Sequence, residues 1–110
     1  MTPTARTLKH LRDKDILAQV VERWCQYSKR RIDLFGCIDI VALDPDTSGV
    51  LGIQATTTNN QTSRMKKILD TDAAEKWMQC GNRLEVWGWG TKQSGKRNLW
   101  QVTIRQVVFP

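Results

Sequence analysis

Three consecutive stretches near the centre of the chain decide its fold. Residues 38–43 read Ile-Asp-Ile-Val-Ala-Leu, residues 44–49 read Asp-Pro-Asp-Thr-Ser-Gly, and residues 52–56 read Gly-Ile-Gln-Ala-Thr. The first and third are rich in β-branched residues, whereas the second is composed of residue types that favour turns. We therefore predict a β-hairpin with strands from Phe35 to Leu43 and from Val50 to Thr57.

The pairing of the two strands follows if the hairpin is symmetric about its turn. Asp39 then lies opposite Gln54, with Cβ atoms about 5 Å apart. The opposite face of the hairpin is wholly apolar, and we expect it to pack against the core. Its predicted cross-strand pairs are Ile38 with Ala55, Ile40 with Ile53, and Ala42 with Leu51.

A carboxylate in the middle of an apolar strand is costly unless another group compensates it. The compensating group for Asp39 is a basic side chain, a hydrogen-bond network or a metal ion. A Mg²⁺ site would use the Asp39 carboxylate, the Gln54 amide oxygen, a backbone carbonyl and water, because hard cations prefer oxygen ligands. The sequence leaves these alternatives open.

The remainder of the chain predicts helices and strands on both sides of this hairpin. Residues 16–24 fit both a helical face and a strand alternation. The other predicted elements are a helix from Pro3 to Asp13, a helix from Thr62 or Ser63 to Leu69, a helix from Asp72 to Cys80, and strands at Asn82–Gly88 and Leu99–Val107 joined by the polar loop Lys92–Arg97. We expect one α/β domain over residues 1–110, with a mixed central sheet flanked by helices.

Charge indicates a polyanionic partner. Seventeen Lys and Arg residues against eleven Asp and Glu residues give a net charge of +6, yet residues 33–58 contain four Asp and no Lys or Arg. Such a distribution is typical of a protein that holds phosphates on its basic regions, although chance alone could also produce it. The candidate nucleic-acid-binding residues are Lys29, Arg30, Arg31, Arg64, Lys67, Lys96 and Arg97.

Several classes of site are disfavoured by composition. Three widely spaced cysteines do not form a disulfide framework or a CxxC metal site, and a single histidine does not support a His-rich metal site. No apolar run approaches the roughly 20 residues of a membrane span. The N-terminal residues lack the apolar core of a signal peptide, so we expect a cytoplasmic protein with no membrane partner.

The two central strands resemble the core of the PD-(D/E)XK (restriction endonuclease-like) nuclease superfamily. Residues 38–43 and 52–56 are similar to the paired motif strands of its small Holliday-junction-resolvase-like members, and Gly36 occupies a position where those members have a glycine. Residues 81–89 are similar to segments of phage-associated nuclease-like proteins. The resemblance extends from about residue 16 onward and implies an αβββαβ core, with residues 16–24 as its first strand.

This resemblance also implies an activity and roles for individual residues. The activity is hydrolysis of DNA phosphodiesters, including structured or branched DNA, with Mg²⁺ or Mn²⁺, in the host cytoplasm if the chain is phage-encoded. Asp39 would be the principal metal ligand, assisted by Gln54 and the backbone carbonyl of Ala55. Glu22 or Asp33 would add a second carboxylate, although either residue can equally be a solvated surface charge.

One position departs from the family pattern. Thr56 stands where the motif has a lysine that stabilises the negative charge of the transition state, and losing one such contact typically lowers the rate by about 10²–10³. Lys66 or Lys67 on the following helix could replace that lysine, or could form a phosphate-contacting helix face. The sequence is therefore compatible with both an active and an inactive enzyme.

Two alternative functions follow from that departure. One is a catalytically impaired nuclease fold that binds nucleic acid, and the other is a small protein-interaction module of a phage or mobile element. Trp87 and Trp89 share one face of a strand, where they would stack on bases, cover a sheet face or form a homodimer interface. In the latter two cases we expect Trp24, Trp77 and Trp100 to fill the core.

Overall fold

A computed structural model describes all residues from Met1 to Pro110. The longest helix has eleven residues, and no helix is long and apolar enough to cross a membrane. In chain order the elements are α1 (Pro3–Asp13), β1 (Leu17–Val20), β2 (Arg23–Cys25), β3 (Arg30–Ile32), β4 (Ile40–Leu43), β5 (Leu51–Thr57), a 3₁₀ turn (Thr58–Asn60), α2 (Gln61–Leu69), α3 (Asp72–Gln79), β6 (Arg83–Ser94) and β7 (Arg97–Gln106).

Five strands form a mixed sheet in the order β1-β4-β5-β6-β7. Every neighbouring pair is antiparallel except β5 and β6, which are parallel and are connected through α2 and α3. Strands β2 and β3 form a separate two-stranded ribbon. The predicted α/β class, with a mixed sheet flanked by helices, is confirmed.

The helices divide the core between the two faces of the sheet. Leu11 of α1 packs with Ile40, Ile53, Trp87 and Trp89 on one face. A second core, on the other face, holds side chains from α2 and α3. Its buried members include Ile38, Met65, Ile68, Ala74, Leu84 and Val86. The central strands are therefore covered on both faces, which explains their near-continuous apolar sequence.

The predicted register of the central hairpin is confirmed over its regular part. Ile40 pairs with Ile53, Val41 with Gly52 and Ala42 with Leu51. The predicted start of its first strand is wrong, because β4 begins at Ile40 and not at Phe35. Residues 34–38 form a tight turn instead, in which Phe35 and Gly36 adopt positive φ angles of 55° and 75° and the Ile38 N–H donates to the Leu34 carbonyl.

This turn changes the direction of one predicted core side chain. Ile38 belongs to the core beneath α2, whereas Ile40 belongs to the core beneath α1, although residues two apart in a regular strand share one face. The predicted Ile38–Ala55 pair is absent, and the Ala55 N–H donates to the Asp39 carboxylate instead. The backbone thus departs from a regular strand at Asp39, immediately before β4.

Two segments outside the hairpin also differ from expectation. Residues 16–24 form two strands rather than one, because the chain leaves the main sheet after Val20 and enters the ribbon at Arg23. The predicted loop Lys92–Arg97 is mostly strand, since β6 and β7 stay paired as far as Ser94 and Arg97. Gly95, with a φ of 61°, provides the tight reversal between them.

The tryptophans agree in part with the second sequence-based interpretation, since Trp87 and Trp89 cover a sheet face and Trp77 packs against the core beneath α2 and α3. Trp87 and Trp89 are buried beneath α1, and the Trp89 indole donates to the Thr7 hydroxyl at 2.9 Å. They are therefore core residues and offer no exposed surface for base stacking. Trp24 and Trp100, expected in the core, are 53% and 49% exposed.

Candidate metal centre

Three carboxylates converge at the junction between the ribbon and the main sheet. Ligand oxygens of Glu22, Asp33 and Asp39 all lie within 4.8 Å of one another. Glu22 lies between β1 and β2, Asp33 directly follows β3, and Asp39 directly precedes β4. We call these three residues the acidic cluster. The β2–β3 ribbon brings these residues together, because the chain leaves the main sheet after β1 and the ribbon returns it to the sheet beside the end of β1.

Gln54 links two of these carboxylates from the neighbouring strand. Its Nε2 donates to the Asp39 Oδ2 at 2.7 Å and to the Asp33 Oδ2 at 3.2 Å. The predicted juxtaposition of Asp39 and Gln54 is therefore present. The amide presents its NH₂ group to the cluster, so its oxygen could bind a cation only after the carboxamide has rotated.

The backbone of Ala55 lies on the same side of β5. Its N–H donates to the Asp39 Oδ2 at 2.9 Å. Because the N–H and C=O of one strand residue point to the same side, the Ala55 carbonyl also faces the edge that Asp39 occupies. Strand β4 begins only at Ile40, which pairs with Ile53, so no regular strand residue of β4 pairs with Ala55.

No basic side chain neutralises Asp39. The chain contains two ion pairs, Lys9–Asp13 on α1 and Arg31–Glu22 at 3.6 Å. Of the compensating groups considered for Asp39, the structure contains the hydrogen-bond network and not the salt bridge. Two members of that network are buried, with Asp39 5% exposed and Gln54 4% exposed, whereas Asp33 is half-buried. Asp39 is therefore less open to solvent than a surface carboxylate.

Burial changes the protonation of this site. Desolvation, followed by the hydrogen bond to the neighbouring Asp33 carboxyl, raises the pKa of Asp39 to about 7, against the opposing effects of the Ala55 N–H and the Gln54 amide. Desolvation and the charges of Asp33 and Asp39 also raise the pKa of the adjacent Cys37 thiol to about 11. The site thus retains a proton at pH values where ordinary aspartates are ionised.

Such a cluster has the donor set of a site for a hard divalent cation. Three carboxylates offer oxygen ligands within 4.8 Å of one another, and the Ala55 carbonyl faces the same edge of β5. Since the proton held by Asp39 must leave before a cation binds, cation affinity would rise with pH through neutrality. Glu22 also contacts Arg31, so a cation would compete with that ion pair.

Thr56 lies within β5 and is not part of the acidic cluster. It is buried, pairs with Gly88 across the parallel strands and shares a face of β5 with Gln54. Its hydroxyl makes no hydrogen bond to the cluster carboxylates. Gln61 of α2 fills the space above Gly88 and donates from Nε2 to the Val86 carbonyl at 3.0 Å. Thr56 is therefore enclosed by packing and brings no positive charge.

The two lysines of α2 make no polar contact with the acidic cluster. Lys66 and Lys67 are exposed on α2, while Met65 and Ile68 turn the other face of that helix to the core. Neither lysine forms an ion pair or hydrogen bond with a cluster carboxylate. The one cationic side chain that forms an ion pair with the cluster is Arg31, and this side chain is 64% exposed.

The predicted nucleic-acid-binding residues lie in three parts of the fold. The first group is on the ribbon, the second on α2 and the third at the end of the β6–β7 hairpin. These groups are, respectively, Lys29 with Arg30 and Arg31, Arg64 with Lys67, and Lys96 with Arg97. Only the first group contains a residue that forms an ion pair with the acidic cluster, Arg31.

Sequence reasoning considered Glu22 and Asp33 as alternatives and missed that both join the cluster. The signal was present in the residues between them. Gln26-Tyr27-Ser28-Lys29 is a plausible turn between the short stretches Arg23–Cys25 and Arg30–Ile32, which form the paired strands of the ribbon. Recognising that hairpin would have placed its two ends, and hence both carboxylates, side by side.

Comparison of the chain with protein-family models, with curated proteins and with solved structures finds no match.

Proposed function

We propose that the protein is a metal-dependent nuclease that hydrolyses phosphodiesters of DNA, including structured or branched DNA. The observation that carries this proposal is the acidic cluster, in which a buried carboxylate lacks a basic partner inside a chain of net charge +6. The order α1, β1, β4, β5, α2, β6 supports it, since the order follows the αβββαβ arrangement of the superfamily that the sequence resembles.

Asp39, Asp33 and Glu22 would hold the cation, Mg²⁺ or Mn²⁺, with the Ala55 carbonyl as a further oxygen donor. When bound, a divalent cation activates water and offsets charge on the phosphate oxygens. Gln54 would orient Asp39, because its amide donates to that carboxylate at 2.7 Å. Asp39 would release its proton on binding.

Arg31 offers the positive charge that Thr56 lacks. Its Nη1 lies 3.6 Å from Glu22, so the guanidinium is at the rim of the cluster and largely open to solvent. A cation that takes Glu22 as ligand would free Arg31 to contact a phosphate, which guanidinium groups bind through paired hydrogen bonds. Lys29 and Arg30 on the same ribbon extend this basic surface.

Cleavage assays with matched variants test the proposal. Plasmid, single-stranded and branched DNA are incubated with the purified chain and Mg²⁺ or Mn²⁺, beside Asp39→Asn and Asp46→Asn. We expect cleavage by the wild type and by Asp46→Asn, whose aspartate lies in the exposed β4–β5 turn, and none above background by Asp39→Asn. In calorimetric titration with Mn²⁺, the wild type and Asp46→Asn should bind the cation more tightly than Asp39→Asn does. Cleavage retained by Asp39→Asn would overturn the proposal.

A catalytically impaired DNA-binding protein is the second candidate function, and the buried, uncharged Thr56 favours it. It predicts DNA retention in a gel that weakens steeply with salt, without cleavage by any variant. Absence of both retention and cleavage would instead leave the protein-interaction module as the remaining function.

A further inference from the structure

Strand β7 is an unpaired edge of the main sheet. It is ten residues long, its one strand neighbour is β6, and nearly all of its residues are exposed. Neither proline nor a break in pairing interrupts it between Arg97 and Gln106. Natural proteins usually protect such an edge, because its free N–H and C=O groups are a template for another strand.

The hydrogen bonds to β6 determine which residues face the open side. The Val107 N–H donates to the Leu84 carbonyl, so the odd-numbered residues of β7 direct their backbone groups towards β6. In an antiparallel pair these positions alternate with positions that face away from the partner. The backbone groups directed to the open edge are consequently those of Asn98, Trp100, Val102, Ile104 and Gln106.

The same even-numbered residues include an exposed apolar row. Trp100, Val102 and Ile104 share the face of the sheet that α1 covers further in, where Val102 pairs with Trp89 and Ile104 with Trp87. Trp100 is 49% exposed and Ile104 44% exposed. Val102 lies at the middle of this row.

We propose that β7 pairs antiparallel with β7 of a second copy of this chain, about a twofold axis at Val102. Val102 then lies opposite the partner's Val102, and Trp100 lies opposite the partner's Ile104 on both sides of the axis. All of these positions have backbone groups free to bond across the edge. The pairing joins two five-stranded sheets into one and places both α1 helices on the same side.

The sequence of the strand favours this register and this occupant. Trp100 and Ile104, which lie two positions before and after Val102, are both apolar. Apolar side chains therefore face apolar side chains when the strand pairs with a second copy of itself. Moving the axis to Gln101 would set Arg97 opposite the partner's Arg105 twice, and like charges directly opposite each other destabilise a sheet. With the axis at Val102, Arg105 lies opposite Leu99 and no like charges face each other.

Light scattering during size-exclusion chromatography tests this pairing across a range of protein concentrations. We expect a dimer for the wild type. Val102→Lys sets two ammonium groups opposite each other at the axis and should raise the dimer dissociation constant at least tenfold. Gln93→Lys, an identical charge change on β6 away from the axis, should leave it unchanged. Thermal melting of each variant reports whether it is folded.

A cross-linking variant tests the register without relying on a destabilised chain. Residues paired across an antiparallel edge have Cα atoms about 5.5 Å apart, within the range of a disulfide. Val102→Cys should therefore give a covalent dimer under mild oxidation, whereas the wild type, with its three native cysteines, and Gln93→Cys should not. A wild-type chain that is monomeric at all concentrations overturns the proposal and would leave the edge to a strand of another protein. A dimer indifferent to both Val102 variants overturns it equally.

Discussion

The two hairpins of the main sheet differ in an opposite sense in which side chains they bury and which they expose. The β4–β5 hairpin is covered on both faces and nevertheless buries a carboxylate and an amide, Asp39 and Gln54. The outer part of the β6–β7 hairpin is uncovered and nevertheless exposes apolar side chains such as Trp100 and Ile104. Each hairpin therefore departs from ordinary burial in one respect, the first at the proposed cation site and the second at the proposed dimer edge.

We expect the two hairpins to differ most in the free energy of unfolding that is lost when an isoleucine is replaced by alanine. Ile53→Ala removes a fully buried side chain from the β4–β5 hairpin and should lower the free energy of unfolding by about 2–5 kcal/mol. Ile104→Ala, on a half-exposed position of β7, should cost about 1 kcal/mol or less. Urea unfolding at a concentration where the chain is monomeric compares the two. Equal losses would show that the outer hairpin is buried in solution.

The buried carboxylate should give the β4–β5 hairpin an unusual pH dependence. Because the pKa of Asp39 is raised to about 7 in the folded chain, the folded state holds a proton that the unfolded state has lost above pH 4 or so. Its contribution to stability is complete at low pH and disappears as pH rises through about 7, a change of about 2–4 kcal/mol.

The matched variant for this pH dependence is Asp39→Asn, which keeps the shape of the side chain and cannot ionise. The difference in unfolding free energy between wild type and variant, measured by urea titration from pH 4 to pH 8, should move in the variant's favour as pH rises. A difference that is constant over this range would show that Asp39 titrates as an ordinary aspartate.

Packing around a glycine of the β4–β5 hairpin gives a smaller effect. A Cβ atom on Gly52 would lie 3.0 Å from the side chains of both Ile38 and Leu84, so Gly52→Ala should destabilise the chain by about 1–3 kcal/mol. The comparable substitution on the outer hairpin is Thr91→Ala at an exposed position of β6, which should change stability by about 0.5 kcal/mol or less. Thermal unfolding at one pH is sufficient to separate them.

The smallest effect concerns the contact between α1 and Trp100 of the outer hairpin. The Arg6 guanidinium of α1 lies 3.7 Å from the centre of the Trp100 ring. Arg6→Ala should lower the free energy of unfolding by about 0.5–1 kcal/mol, as expected for a solvent-exposed cation–π pair, and Arg6→Lys should recover part of the loss. An unchanged stability in Arg6→Ala would mean that Trp100 is free to pack elsewhere.

Local sequence rules were sufficient where local chemistry controls the backbone. The Asp44–Gly49 turn and the alternation around it predicted the pairing of Ile40 with Ile53, and Thr2 and Pro3 predicted the start of α1. The irregularity at Asp39 was beyond those rules, because an aromatic residue such as Phe35 rarely adopts a positive φ angle.

Long-range packing explains the remaining differences. Trp87 and Trp89 alternate along β6 just as an exposed row would, and only the position of α1 decides that this face is buried. Glu22 and Asp33 are eleven residues apart, and their contact depends on the ribbon between them. Non-local contacts of this kind leave little trace in the local pattern, so a candidate site is harder to predict than the strand that carries it.

The buried thiol of Cys37 can report on the opening of the tight turn before β4. At 1% exposure and with its pKa raised to about 11, Cys37 should be shielded from alkylating reagents while the turn is closed, whereas the exposed Cys80 should be labelled first. The rate at which Cys37 is labelled therefore measures how often residues 34–38 open. Any ligand that ties Asp33 to Asp39 should slow that rate, because these two residues bracket the turn.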